Sequence, residues 1–272
     1  MEARPMMRWL THDDGTVLWV DDEGSGDPAL VLVHGFGCDH TNFEAQIRHF
    51  SLRRRVVAVD LRGHGRSDGP DQEYTIEGYA DDVAWLCQAL GLVRPVLAGH
   101  SMGGMVVATL AGRHPDLPSG VAILDAAVVP RPELVAPLAG WADSLRSPST
   151  FRADLRAASD GFFSPFDAAD LKGRIQDGVY APHHVMLSSA EAMTAFLQRA
   201  VDSDIPAGWS MPACTIAGPL QMNDMDRFAK LCPQVISAQV LGAGHWYMLE
   251  VPDQLNAMLG RFLSIVESTV TH

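Results

Sequence analysis

Six short apolar runs recur along the chain: ALVLVHG (29–35), RVVAVD (55–60), PVLAGH (95–100), GVAILD (120–125), ACTIAG (213–218) and QVISAQVLG (234–242). Runs of this length without strict apolar/polar alternation read as strands buried on both faces. Between them lie segments of helical spacing at 42–50, 75–90, 102–113 and 223–231, and a closing helix is expected at 251–267. The helix at 75–90 carries its own boundary signals, Thr75 as N-cap and Gly91 just past the end; Thr41 or Asn42 would cap the one at 42–50. Strands joined through helices need crossover connections, so the sheet is mostly parallel and covered on both faces. Ahead of the alternation, roughly 6–10 and 16–20 flank THDDG and read as a hairpin. The expected fold class is therefore α/β, with an eight-stranded, mostly parallel sheet.

The rhythm breaks between about Val128 and Pro206, where several short helical stretches are separated by prolines. Five of the ten phenylalanines fall here (Phe151, Phe162, Phe163, Phe166, Phe196), together with Trp141. This segment reads as a helical lid inserted after the sixth strand. The division is a core of residues 1–127 and 207–272 and a cap of 128–206. The alternative is a set of ordinary covering helices.

Charge excludes some partners. The formal net charge is −13 and 19% of residues are charged, which disfavours nucleic acid or an anionic membrane surface, both of which need a basic patch. No stretch approaches the ~20 apolar residues of a membrane span, and the first fifteen residues lack an apolar run long enough for a signal peptide. Cys38, Cys87, Cys214 and Cys232 are scattered without a C-x-x-C spacing, so they read as free thiols in a cytoplasmic, reducing setting. The partner expected is a small apolar molecule; no nucleic acid, membrane, metal or cofactor is expected, and a homodimer is left open.

One polar residue stands where burial gains it nothing. Gly99-His100-Ser101-Met102-Gly103 fits G-x-S-x-G between an expected strand and an expected helix, the context that turns a weak motif into a strong one. A sharp turn there lifts the Ser101 hydroxyl clear of the sheet beside a helix N-terminus, whose unpaired N–H groups suit a developing oxyanion. The backbone N–H groups of Phe36 and Met102 are the expected oxyanion pair. A serine nucleophile needs a base, and of the eleven histidines His245 stands between the last strand and the last helix, over the same sheet edge. His34 opens HGFG; its ring is expected to brace that loop and to border the pocket, which Trp246, Phe162 and Phe163 would also line. Asp60, Arg62, His64 and Ser67, after the fourth strand, are given a structural role.

Taken together, HGFG (34–37), DLRGHGRSDGP (60–70), GHSMGG (99–104) and GAGHW (242–246) resemble the α/β-hydrolase-fold superfamily over essentially the whole chain. The resemblance implies a serine hydrolase rather than an epoxide hydrolase or haloalkane dehalogenase, since those carry a carboxylate at the elbow. It also exposes a departure. The family's commonest acid stands about three residues past a glycine in the loop after the seventh strand. Here Gly218 is followed by Pro219, Leu220 and Gln221, and an amide cannot stabilise an imidazolium as a carboxylate does. Asp224 and Asp226 lie nearby but suit the start of the next helix. Asp125, ending GVAILD one strand from Ser101, is the expected acid, with Asp224 or Asp226 as the alternative; some families of this fold place their acid after the sixth strand.

The expected reaction is attack of Ser101 on a carboxylic ester, lactone or thioester of a medium-sized apolar substrate. It proceeds through an acyl-enzyme, with His245 as base and Asp125 orienting it. Two alternatives keep the fold and change the chemistry: a cofactor-free dioxygenase, and a carbon–carbon bond hydrolase of a ring-cleavage pathway. A binding protein that retains the fold is the reading from outside enzymology.

Overall fold

The computed structural model describes residues 8–270, except for the side chains of 138–141 and 270. The apolar runs become β3 (Leu30–Val33), β4 (Val56–Val59), β5 (Val96–His100), β6 (Gly120–Leu124), β7 (Ala213–Ala217) and β8 (Val235–Gln239). The first five of these are buried at every position, which is why their sequences show no alternation. β1 (Arg8–Thr11) and β2 (Val17–Glu23) form the hairpin; residues 6 and 7 of its expected first strand lie outside the described residues. The eight strands make one sheet in the order β1-β2-β4-β3-β5-β6-β7-β8. Pairing is antiparallel from β1 to β2 and from β2 to β4, and parallel from β4 to β8.

Local signals set the helix ends. α1 (Glu44–Phe50) follows a short 3-10 turn, and α2 (Ile76–Ala89) begins where the Thr75 hydroxyl accepts from Gly78 N at 2.9 Å. Gly91, at φ +62°, takes the left-handed conformation past its end. α3 (Met102–Arg113) follows β5 with only Ser101 between. The helices after β7 are α8 (Met225–Leu231), a single turn α9 (Tyr247–Glu250) and α10 (Pro252–Val270). β8 stops at Gln239, short of the expected Gly242: Val240 N still donates to Ala217 O of β7, but Leu241 pairs both backbone groups with the Gln254 side chain instead.

The loop after β4 is fastened by ion pairs. Arg62 grips both carboxylate oxygens of Asp82 on α2 (2.9 and 2.7 Å) and reaches Asp14 of the hairpin at 2.6 Å. Asp60 accepts from His40 through both backbone N and Nδ1, each at 2.7 Å, and from Arg66 N at 2.9 Å. Ser67 Oγ donates to the Asp60 carbonyl and accepts from Trp19 N. All of these contacts lie within the scaffold.

Between β6 and β7 the chain forms α4 (Pro132–Ser144), α5 (Phe151–Ser159), α6 (Ala169–Gly178) and α7 (His183–Ala200). α7 joins this insert to the sheet's helices: Ser188 Oγ accepts from Tyr74 N, and Ser189 Oγ pairs with the Tyr79 hydroxyl. The five phenylalanines divide. Phe151 and Phe196 are buried, Phe163 is half-buried, and Phe162 and Phe166 are exposed, Phe166 to 81%. The Trp141 side chain lies outside the described residues.

Candidate active site

Ser101 sits at φ +53°, ψ −119°, a conformation that costs a non-glycine residue roughly 1–3 kcal/mol and persists only where its surroundings enforce it. They do so here by close approach. A Cβ on Gly99 would run into the backbone of Gly103, and one on Gly103 into the backbone of Val33 and His34. With both glycines, strand and helix converge on one residue: Ser101 N donates to Leu124 O of β6 at 2.9 Å, and Ser101 O accepts from Gly104 N at 2.9 Å.

Asp125 is the second strained residue, at φ +45°. Its backbone N donates to Ile216 O at 2.9 Å, and its Oδ1 accepts from Gly218 N at 2.7 Å. Its Oδ2 lies 2.6 Å from His245 Nδ1. That contact puts the imidazole proton on Nδ1 and leaves Nε2 as the basic nitrogen. Gly218 is required for this placement, since a Cβ there would come within 2.6 Å of Oδ2.

His245 is held on several sides. Its backbone N donates to Phe162 O at 2.7 Å, and its carbonyl accepts from His100 Nε2 at 2.9 Å. Its ring packs against those of His100 (centroids 4.5 Å apart), Trp246 (5.2 Å) and Phe162 (5.3 Å). Burial, with His245 alongside, holds His100 well below the usual imidazole range, so it remains neutral. Nothing in the sequence alone distinguishes His100 from any other residue preceding the serine.

Ser101, Asp125 and His245 all line one cavity of about 330 Å³ beneath the insert. Phe36, Phe162 and Trp246 line it too. His34 does not: it is fully buried behind the wall, its Nδ1–H donating to Gly35 O at 2.8 Å and its Nε2 accepting from Leu61 N at 2.9 Å. Both ring nitrogens are used in bracing two loops, so His34 has no face to offer a ligand. Phe163 also lies off the cavity, stacked on the outer side of Trp246 at 5.0 Å. Met102 is the first residue of α3, its side chain fully buried.

The loop after β7 carries no carboxylate bonded to His245. Asp224 Oδ1 accepts from Arg227 N at 3.0 Å, capping α8, and Asp226 lies in that helix's first turn. Gln221 Oε1 accepts from Asn223 N at 3.1 Å. Asn223 itself is buried and clips two loops together: its Oδ1 accepts from Val128 N and Val129 N (2.8 and 2.9 Å), and its Nδ2 donates to Ala126 O at 2.8 Å. Among the described residues Asp39, His40 and Asp60 come close enough to share a cation. Asp60 is already committed to the three N–H groups above, and Asp39 caps the 3-10 turn through Thr41 N at 2.8 Å.

Comparison with known proteins agrees with this fold. The profile of the alpha/beta hydrolase fold matches residues 28–181. A 2-(acetamidomethylene)succinate hydrolase from Mesorhizobium japonicum is 39% identical over 106 residues, covering 39% of this chain and 38% of that protein. The chain spans less than half the length of the first curated relatives it matches. Among solved structures, a thermophilic esterase from Thermogutta terrifontis superposes with a TM-score of 0.78 at 26% identity, over 97% of this chain and 99% of the other. The enol-lactonase from Burkholderia xenovorans LB400 gives 0.79 at 27% identity, over 94% and 100%.

Proposed function

The chain belongs to the alpha/beta hydrolase fold family, and we propose that within it this protein is a serine hydrolase cleaving a carboxylic ester, lactone or thioester of a medium-sized apolar substrate. The observation that carries this reading is the 2.6 Å contact between His245 Nδ1 and Asp125 Oδ2 in a cavity that Ser101 also lines. Ser101 Oγ attacks the substrate carbonyl while His245 Nε2 takes its proton. Asp125 stabilises the imidazolium so formed. The backbone N–H groups of Phe36 and Met102 face the oxyanion, that of Met102 at the positive end of α3. Collapse of the tetrahedral intermediate passes the proton to the leaving oxygen or sulfur and leaves Ser101 acylated. Water, deprotonated by His245, then releases the acid. The helices between β6 and β7 act as a lid that keeps bulk water from this cavity. Four buried, unpaired cysteines suit a reducing, cytoplasmic setting.

The lining argues for an uncharged acyl group. No Lys or Arg lines the cavity among the described residues. Its remaining polar groups are committed: the Ser159 hydroxyl donates to Arg156 O (2.7 Å) and accepts from Gln176 Nε2 (3.0 Å), and burial pushes the Cys38 thiol up to about 12. An unpaired carboxylate buried there would cost several kcal/mol. We therefore separate this protein from its relative named for a succinate: p-nitrophenyl butyrate should be turned over at least 10²-fold faster than a p-nitrophenyl ester of succinic acid.

The experiment for the mechanism is Ser101→Ala. It should lower kcat on the order of 10⁶-fold, and a fluorophosphonate should label wild type at Ser101 alone. Ester turnover persisting in a folded Ser101→Ala protein would rule the mechanism out, and oxygen uptake without ester turnover would favour the dioxygenase reading.

A further inference from the structure

The backbone on both sides of His245 ends on one side chain that the reaction above does not use. Gly244 N and Trp246 N donate to the two carboxylate oxygens of Glu250, one turn further along in α9; the Trp246 bond is 3.1 Å. The N–H between them, of His245 itself, goes to Phe162 O. Three consecutive amides around the base are thus fixed, and Glu250 holds the outer two.

The loop is also joined to the insert. Ser164 Oγ donates to Gly242 O at 2.9 Å, and Asp167 Oδ2 accepts from Ser164 N at 2.6 Å. The approach is tight enough that a Cβ on Gly244 would lie 2.9 Å from Phe163 Cα and Ser164 N. Burial above all, and then the charge of Asp167, push Glu250 up to about 7. A glutamine would keep the shape, but it offers one carbonyl oxygen where the two amides meet two carboxylate oxygens.

We propose that Glu250 is a positioning residue for His245, clamping the backbone on both sides of the imidazole in a loop that Ser164 and Phe162 tie to the insert. The inference rests on His245 being the base. Without Glu250 the loop from Gly242 to Trp246 keeps the Phe162 and His100 contacts but gains freedom along its length. The Nδ1–Asp125 alignment then loosens while the cavity walls stay in place.

The test uses the full chain with Glu250→Ala and Glu250→Gln. Two readouts are taken: kcat and KM on p-nitrophenyl butyrate, and the downfield proton NMR resonance of the short His245 Nδ1–H···Asp125 bond, which needs no substrate. The expected result is a fall in kcat of roughly 10–100-fold in Glu250→Ala, with KM within about twofold. Glu250→Gln should be intermediate, and the downfield resonance should broaden or disappear in the same order. A residue that only capped a helix turn would move the unfolding midpoint and leave kcat and the resonance at wild-type values, and that outcome overturns the proposal. Should Glu250→Ala fail to fold, Glu250→Gln decides it. Should wild type show the resonance but no ester turnover, the hydrolase reading fails, and the clamp is judged on the resonance alone.

Discussion

Two loops lie side by side at the carboxyl edge of the sheet, after β6 and after β7, and only the first presents a carboxylate to the histidine. Asp125 reaches His245 directly from the end of its strand. The β7 loop has three polar side chains in four residues, Gln221, Asn223 and Asp224, and all three bond to backbone. Its contribution to the site is support. Gly218 N holds one oxygen of Asp125, and Asn223 holds the residues that follow Asp125. An acid moved one strand over still needs the neighbouring loop, but for its donors rather than its charge.

The sharpest way to break this comparison is Asp125→Asn. The amide keeps the shape but favours the wrong imidazole tautomer, so kcat should fall roughly 10⁴-fold with little change in unfolding midpoint. Near-wild-type turnover would move the acid to the other loop.

The two loops were unequally legible in the sequence. Asp125 is singled out by its place at a strand end one strand from Ser101, and by the amide at Gln221. Asp224 as a helix cap follows from Asp before a short helical run. These are local signals, as are the glycines at 99 and 103 and the eight strands themselves. Asn223 and Gly218 are different. Asn223 acts on residues almost a hundred positions earlier, and the Cβ that Gly218 lacks would meet an oxygen equally far away in sequence. Spacing rules carry no information over that distance. The same holds for His34, whose place in HGFG suggests a pocket wall. Its two ring nitrogens are taken up by Gly35 and by Leu61, the latter on another loop. Within the insert, Phe162 lines the cavity while its neighbour Phe163 stacks on Trp246 off it, a distinction that two adjacent residues of one type do not carry in sequence.

Asn223→Ala tests the support role at the level of stability. Three hydrogen bonds to buried backbone would be lost, leaving two N–H groups and one carbonyl without partners. Each such group costs on the order of 1–3 kcal/mol, partly recovered by water, so a destabilisation of about 3 kcal/mol is expected in urea denaturation. A loss below about 1 kcal/mol would show that the two loops stand independently.

Gly218→Ala tests it at the level of geometry. The added Cβ pushes on Asp125 Oδ2, and displacement of a reacting group by about an ångström can cost 10²-fold. We expect kcat lower by roughly that factor, with KM nearly unchanged. An unaffected kcat would mean that the carboxylate yields without losing His245.

The smallest effect is expected at Asp224, the first carboxylate past the usual triad-acid position. Asp224 Oδ1 caps α8 through Arg227 N, and its charge lies at the positive end of that helix. Asp224→Ala removes one cap and its dipole interaction, worth about 1 kcal/mol, while Asp224 N keeps its bond to Val129 O and so preserves the strap between the loops. The unfolding midpoint should fall slightly and kcat should stay within about twofold. The pair of results at 125 and 224 then separates two accounts of the site. If the β6 carboxylate alone serves His245, the effects on kcat differ by roughly three to four orders of magnitude. If the β7 loop swings in during turnover to share that task, Asp224→Ala will lower kcat more than tenfold in a protein whose stability has barely changed.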